Sequence, residues 1–415
     1  MNILISIDNL GIGGAQKFVL RLAQALSQKH HVYIFSHANY KQKIQESIFI
    51  AQLPPGIKTI YFPFILHLIK WLAFKIDHLI LDRLKINLSL CQIITIWFFK
   101  KEIFRHNIDI INSHLFYSDC IAVNALSNSQ IPIIATDHGD YRNVTQYGDY
   151  TWDEVFTMLN QVDAIIYPCR YNAQDISKKI GNIKAIQEII YYGLSSENIE
   201  TYLEYPRQKL GISEEAFIFG MVARGIPEKG WFEAIQAFDL LTKSAKEREI
   251  HLIIVGGGDY LSSLQEHSEI KSMRNIHFVG YCLDPSYWIR SFNVGLLPTY
   301  LIGESLPNSI IEYLALSKPV IATEVGGIPE MMINDGKIPG FLVSLNEDGK
   351  ADVSMIVNAM LTYINDSSLL KKHSYIAQES FKKFKMQACV DAYELLFEKI
   401  LSHASSISNG NCTAH

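Results

Sequence analysis

Short apolar runs separated by helix-like segments recur twice along this chain of 415 residues. That double alternation constrains its fold more than any other feature. The first series reads NILISID (2–8), HVYIFS (31–36), KTIYF (58–62), DIINS (109–113), PIIAT (132–136) and DAIIYP (163–168). Apolar-periodic segments such as KFVLRLAQALSQ (17–28) lie between them. A polar, irregular stretch comes next at 193–215, and then the alternation restarts. Its second series is FIFGMVA (217–223), HLIIVG (251–256), NIHFVG (275–280), NVGLLP (293–298) and PVIAT (319–323). Strands apolar on both sides must be covered on both faces, which predicts parallel sheets flanked by helices. The reading is therefore α/β: two doubly wound Rossmann-like domains, 1–195 and 196–382, facing a central cleft. Ligands of such sheets bind beyond the carboxyl ends of the strands.

Composition excludes several classes. The net charge of −5 gives no footprint for a nucleic acid. The six cysteines are scattered, without a CxxC pair or zinc spacing, as free thiols of a reducing cytoplasm would be. No Asp-x-Asp triplet offers a metal site, and the N-terminus, MNILISIDNLGIGG, lacks the basic region of a secretory signal. One segment departs from the average. Residues 57–106 are rich in Ile, Leu, Phe and Trp, and carry eight Lys/Arg against three Asp/Glu between Lys58 and Arg105. Basic helices with exposed aromatics bind anionic membrane surfaces. Core helices with snorkelling lysines give the same composition. The tail 403–415 is small and polar and is expected to fray.

Four stretches carry chemistry. IDNLGIGGAQKF (7–18) places Gly11, Gly13 and Gly14 between a strand and a helix. Such a loop brings N–H groups to an anion, or simply makes a tight turn. The full dinucleotide pattern and its acidic ribose residue are missing, which disfavours a nicotinamide dehydrogenase. MVARGIPEKG (221–230) puts Arg224 and Lys229 at a strand end beside a helix N-terminus, where cations oppose the helix dipole. A diphosphate would resolve that, with Arg as a fork and Lys as a point charge; a solvated loop is the plainer alternative. IIVGGGDY (253–260) is a glycine turn at Gly257 that either admits a ligand or only turns. In GESLPNSIIE (303–312), Glu304 precedes a helix and Glu312 sits inside its apolar run. The two carboxylates stand about 10 Å apart on a helical rise. One per sugar of a nucleotide sugar, with phosphate at the helix end between them, accounts for both; dipole compensation or a buried ion pair are the alternatives.

Taken together, GIGGAQ, ARGIPEKG and ESLPNSIIE…PVIATEVGGIPE resemble the signatures of the retaining glycosyltransferases of family 4, and the resemblance runs from residue 1 to about 400. It implies the GT-B fold, with a final helix, 383–402, crossing back to the N-terminal domain. It implies a retaining, metal-independent transfer from a nucleoside-diphosphate sugar, with no cofactor. Arg224 and Lys229 would stabilise the departing diphosphate. Glu304 and His138, the latter in IIATDHG, would contact the transferred sugar. Glu312 would hold the ribose. Gly13, Gly14, Ser305, Leu306, Asn308 and Ser309 would line the phosphates and sugar, and the backbone near Tyr281 would receive the base. Ser305 and Leu306 stand where the family has Gly and Phe, and Ala223 replaces a glycine, which bears on donor preference. The N-terminal domain would take a saccharide or lipid-linked acceptor of cell-surface polysaccharide or lipopolysaccharide assembly. That places the chain in the cytoplasm, with 57–106 on the cytoplasmic face of the inner membrane. A sugar-nucleotide epimerase and a non-catalytic binding paralogue share most of these features.

Overall fold

The computed structural model describes residues 1–410 except 12, 40–41, 43–45, 47–49, 52, 78, 80–88, 128, 196–205 and 302. Part of the polar break expected at 193–215, part of the 57–106 segment and the last five residues thus lie outside the described residues. The chain divides into two compact units, Met1–Gly193 with Met386–His415, and Leu194–Lys385.

The first unit is built on seven parallel strands: β1 (Asn2–Ile7), β2 (His31–Ser36), β3 (Lys58–Ile60), β4 (Ile110–His114), β5 (Ile133–Thr136), β6 (Ala164–Tyr167) and β7 (Ile186–Ile189). They lie in the order β3-β2-β1-β4-β5-β6-β7. The central strands are buried along their whole length, as their uninterrupted apolar runs require. β7 has no counterpart in the sequence reading. Its residues, IQEI, alternate half-buried with exposed positions. An edge strand needs only one buried face, so it leaves no continuous apolar run.

Three helices of this unit bear on function. α1 (Gly14–Leu26) begins three residues before its apolar periodicity, directly at the glycine loop. α2 (Phe64–Ile76) and α3 (Leu90–Arg105) form most of the basic aromatic segment, and they differ. α3 buries Phe98, Phe99 and Ile103 in the core, each contributing about 1.5–3 kcal/mol. Its start is fixed by Asp77, whose carboxylate accepts from the N–H groups of Leu90 (2.9 Å) and Cys91 (3.0 Å). α2 buries Ala73 alone. Phe64, Ile65, Trp71 and Phe74 are 64%, 70%, 51% and 60% exposed. The two readings of 57–106 therefore apply to different halves: α3 is core, α2 presents apolar side chains outward.

The second unit has six parallel strands: β8 (Phe217–Val222), β9 (Ile250–Val255), β10 (Ile276–Gly280), β11 (Val294–Leu297), β12 (Val320–Thr323) and β13 (Gly340–Val343). Their order is β10-β9-β8-β11-β12-β13. β13 was also absent from the sequence reading; it is a four-residue edge strand opened by a Pro-Gly pair. α4 (Trp231–Ser244) follows β8 and α5 (Asn308–Ala315) follows β11.

The last helix, α6, runs Met386–Gly410, not 383–402. Residues 383 and 384 belong to a 3-10 turn of the second unit, where Leu194 N donates to the Phe384 carbonyl (2.8 Å). The helix continues through the serines expected to fray, because no proline or glycine interrupts them before Gly410. α6 packs on α1 in the first unit, where its Glu394 accepts from Lys29 (2.8 Å) and meets His30 (3.0 Å).

Candidate active site

The order of the second sheet fixes where a ligand can bind. From β8 the chain moves outward to β9 and β10, then returns to β11 on the opposite side of β8. The connections diverge at the carboxyl ends of β8 and β11, which is the topological switch point of a doubly wound sheet. The predicted motif loops meet there. After β8, a 3-10 turn (Pro227–Lys229) leads into Gly230, which has φ +80°. A Cβ on Gly230 would stand 1.9 Å from the Pro298 carbonyl beyond β11, so only glycine lets the two loops close on each other.

That closure delivers Lys229 to Glu304. Both residues are buried, at 7% and 6% exposure, and Lys229 Nζ lies 2.5 Å from Glu304 Oε2. Thr299 Oγ1 donates to the same oxygen at 3.0 Å. The backbone of Glu304 is held as firmly. Gly327 N donates to its carbonyl (3.2 Å), and Gly326, at φ +58°, leaves no room for a Cβ beside that carbonyl. The Gly-Gly turn of the motif thus positions Glu304. This corrects one expectation. Lys229 does not stand uncompensated in its loop, because a carboxylate 75 residues away already neutralises it. Arg224 alone is an exposed cation of that loop, without an ion pair among the described residues. Its carbonyl accepts from Trp231 Nε1 (2.8 Å), which anchors the loop to α4.

Glu312 lies in the second turn of α5 and is buried, at 6% exposure. Its neighbour Tyr313 ties the helix to both strands of the switch point. The Tyr313 hydroxyl accepts from Val222 N at the end of β8 (2.7 Å) and meets the Leu296 carbonyl of β11 at 3.3 Å. Pro307 is the N-cap rather than a first-turn residue, so Ser305 and Leu306 lie before the helix, buried. Asn308 and Ser309 open it, at the end where N–H groups lack carbonyl partners within a helix. Gly257 and Tyr281 come together one and two strands further along. Gly225 N donates to the Gly257 carbonyl (2.8 Å), and a Cβ on Gly257 would sit 3.2 Å from that of the exposed Tyr281. Arg224, Gly257 and Tyr281 thus follow β8, β9 and β10 on one edge of the sheet.

Gly13, Gly14 and His138 belong to the first unit. Gly13 is extended (φ −177°) and caps α1 without a side-chain bond. His138 follows β5 and contacts His114 at the end of β4 (Nε2 to Nδ1, 2.9 Å) and Tyr192 beyond β7 (Nδ1 to OH, 2.5 Å). Desolvation holds the His138 imidazole down to about 3. In the same unit, Asp8 directly follows β1 and accepts from Ser118 Oγ (2.7 Å) and N (3.0 Å). Burial pushes the Asp8 carboxyl up to about 6. Sequence reasoning missed Asp8, His114 and Tyr192. A signal existed for one of them: Asn112, Ser113 and His114 are three polar residues in a strand that is otherwise Ile.

Among the described residues, no group of three or more His, Cys, Asp or Glu side chains is placed to hold a metal ion. No described helix is long and apolar enough to cross a membrane.

Two family descriptions together match most of the chain: Glycosyltransferase Family 4 over residues 12–197 and Glycosyl transferases group 1 over 204–380. A putative teichuronic acid biosynthesis glycosyltransferase of Bacillus subtilis, TuaC, is 27% identical over 229 residues, 54% of this chain and 55% of its own length. The capsular polysaccharide biosynthesis glycosyltransferase CapM of Staphylococcus aureus is 27% identical over 45% of this chain and 47% of CapM. The chain therefore matches about half the length of each. Anabaena HepE, solved with UDP and glucose, superposes with a TM-score of 0.72 at 17% identity, covering 96% of this chain and 100% of HepE. Two Rossmann-like sheets of this topology, two matching family descriptions and motif residues gathered at a switch point leave one assignment: the chain belongs to the group 1 glycosyltransferases of GT-B fold.

Proposed function

We propose that the protein transfers a sugar from a nucleoside-diphosphate sugar to a saccharide or lipid-linked acceptor of cell-surface polysaccharide assembly, retaining anomeric configuration and using no metal ion. The observation that carries this reading is the Lys229–Glu304 contact at the switch point of the second sheet. Both of its hydrogen-bonding contacts fall on Oε2, which leaves Oε1 to accept from a sugar hydroxyl. Lys229 then stands next to the sugar–phosphate bond, and the exposed Arg224 reaches the diphosphate from the same loop. Arg224 supplies the uncompensated positive charge for the departing diphosphate, and the Lys229 ammonium adds N–H donors beside it. Glu312 takes the ribose, the backbone near Gly257 and Tyr281 the base, and His138 of the first unit the transferred sugar. TuaC is described as a putative glycosyltransferase of teichuronic acid biosynthesis and CapM as one of capsular polysaccharide biosynthesis, which supports the acceptor class.

The membrane part of the reading rests on α2. Its exposed Phe64, Ile65, Trp71 and Phe74 are interleaved with lysines; Lys75 Nζ lies 3.7 Å from the centroid of the Trp71 ring. On the neighbouring α3, the exposed Trp97 carries Lys101 at 5.4 Å. Tryptophan and lysine side by side suit the boundary between headgroups and acyl chains.

The test is a panel of UDP-, GDP- and ADP-sugars incubated with the protein and candidate acceptors in chelator. Release of one nucleoside diphosphate, reduced at least tenfold in Arg224→Ala, is the expected result. That loss corresponds to one charge-assisted hydrogen bond, about 1.5–3 kcal/mol. A sugar isomer formed without diphosphate release would mean an epimerase instead.

A further inference from the structure

Four polar side chains of the first unit form one unbranched chain of hydrogen bonds. Asn112 and His114 stand on β4, His138 follows β5, and Tyr192 follows β7. The Asn112 amide nitrogen lies 3.3 Å from the Ile134 carbonyl and 2.9 Å from Thr136 Oγ1. A carbonyl only accepts, so the NH₂ group faces β5 and Oδ1 faces away. Oδ1 lies 2.8 Å from His114 Nε2 and accepts as well, so Nε2 carries a proton. His114 is fully buried; desolvation, reinforced by His138, pushes its pKa well below the usual value, and the ring is neutral. A neutral imidazole has one N–H, which leaves His114 Nδ1 bare to accept from His138 Nε2. His138 is neutral for the same reason, so its Nδ1 is bare and accepts from the Tyr192 hydroxyl. Every proton points one way, from Tyr192 to the β5 carbonyl.

The surroundings keep this arrangement. Phe18 of α1 meets the His138 ring edge-on with centroids 6.1 Å apart, and stacks on Tyr192 at 4.4 Å. Tyr393 of α6 lies against the same Phe18 at 6.3 Å. Among the described residues, the titratable side chains hydrogen-bonded to His138 from other elements are His114 and Tyr192. On its own loop, Asp140 Oδ1 accepts from His138 N (3.1 Å), and Asp137 is tied to Gly139 N (2.8 Å) and Asn172 Nδ2 (2.6 Å). Burial and then repulsion from Asp137 push the Asp140 carboxyl up to about 8.

We infer that Asn112, His114 and Tyr192 are positioning residues that lock His138 as a neutral imidazole in its Nε2–H tautomer, so that the ring serves as a fixed polar wall and exchanges no proton during transfer. The inference rests on the proposal that His138 faces the transferred sugar. Both ring nitrogens are committed inside the protein. When the bond from anomeric carbon to phosphate oxygen breaks and the acceptor oxygen bonds that carbon, the acceptor's hydroxyl proton therefore does not pass to His138.

The test uses nitrogen-15 spectra of the intact, histidine-labelled protein from pH 5 to 8, assigned with His114→Gln and His138→Gln. Two rings in the Nε2–H tautomer, with shifts constant over the range, are expected. A His138 ring that titrates in this window, or carries its proton on Nδ1, would overturn the lock. These spectra need no turnover, so failure of the transferase reading leaves the result interpretable. Activity adds a second arm. Tyr192→Phe should keep the Nε2–H tautomer, because His114 Nδ1 can only accept, but should free His138 Nδ1 to take a proton, so that a histidine-like inflection appears in the pH profile of kcat at unchanged donor KM. His114→Gln, whose amide can accept from His138 and donate to Asn112, should keep most of the kcat that His114→Phe loses. Equal losses in both His114 variants, with wild-type tautomers retained, would reduce His114 to packing and refute its positioning role.

Discussion

At the scale of single residues, Lys229 and Glu304 decide the behaviour of the site. A buried ion pair contributes little net stability, but removing one partner leaves a buried charge uncompensated. Lys229→Ala should therefore cost about 3–5 kcal/mol in urea unfolding, whereas Lys229→Met with Glu304→Leu should come close to wild-type stability. A stable Lys229→Ala protein would mean that the contact does not persist in solution. Gly326 makes a second case. Its positive φ and the absence of space beside the Glu304 carbonyl leave Gly326→Ala no unstrained conformation. The variant should lose transfer activity through displaced Glu304, and unchanged kinetics would show that the turn is dispensable. Part of this was legible beforehand. The types and spacing of Arg224, Lys229, Glu304 and Glu312 already suggested a charged ligand. The pairing of Lys229 with Glu304 was not, because it joins loops after β8 and β11, and strand adjacency does not follow from chain order.

At the scale of elements, α2 and α3 have nearly the same composition and opposite surroundings. Charge counting could not separate them, since both carry lysines among Phe, Ile and Trp. What separates them is that α3 packs on the sheet through Phe98, Phe99 and Ile103, while α2 lies outside it. Phe99→Ala should cost about 3–5 kcal/mol, the usual figure for a deleted core phenylalanine. Trp71→Ala with Phe74→Ala should leave the melting temperature unchanged and abolish pelleting with anionic vesicles at low salt. Pelleting that survives the double variant, or that never occurs in the wild type, would contradict a membrane role for α2. The buried central strands were equally legible from their apolar runs. β7 and β13 were not, because an edge strand buries one face and needs only alternating or short apolar character.

At the scale of the whole molecule, the double alternation of strands and helices was enough to require two parallel sheets. It was not enough to order them. The orders β3-β2-β1-β4-β5-β6-β7 and β10-β9-β8-β11-β12-β13 arise because each right-handed crossover can continue outward or return to the other side of the first strand. Each return creates a switch point, and the motif loops of the second sheet converge on its own. The return of α6 to the first unit was expected from the family resemblance and not from its own residues; in the structure it rests on packing against α1. The central claim, that the second sheet's switch point holds a nucleoside diphosphate, is tested most directly by calorimetric titration of UDP, GDP and ADP in chelator, with wild type and Arg224→Ala. One of the three should bind with one-to-one stoichiometry, at least tenfold more weakly to the variant and more weakly as salt rises. Binding of none, or equal binding to both proteins, would contradict the assignment.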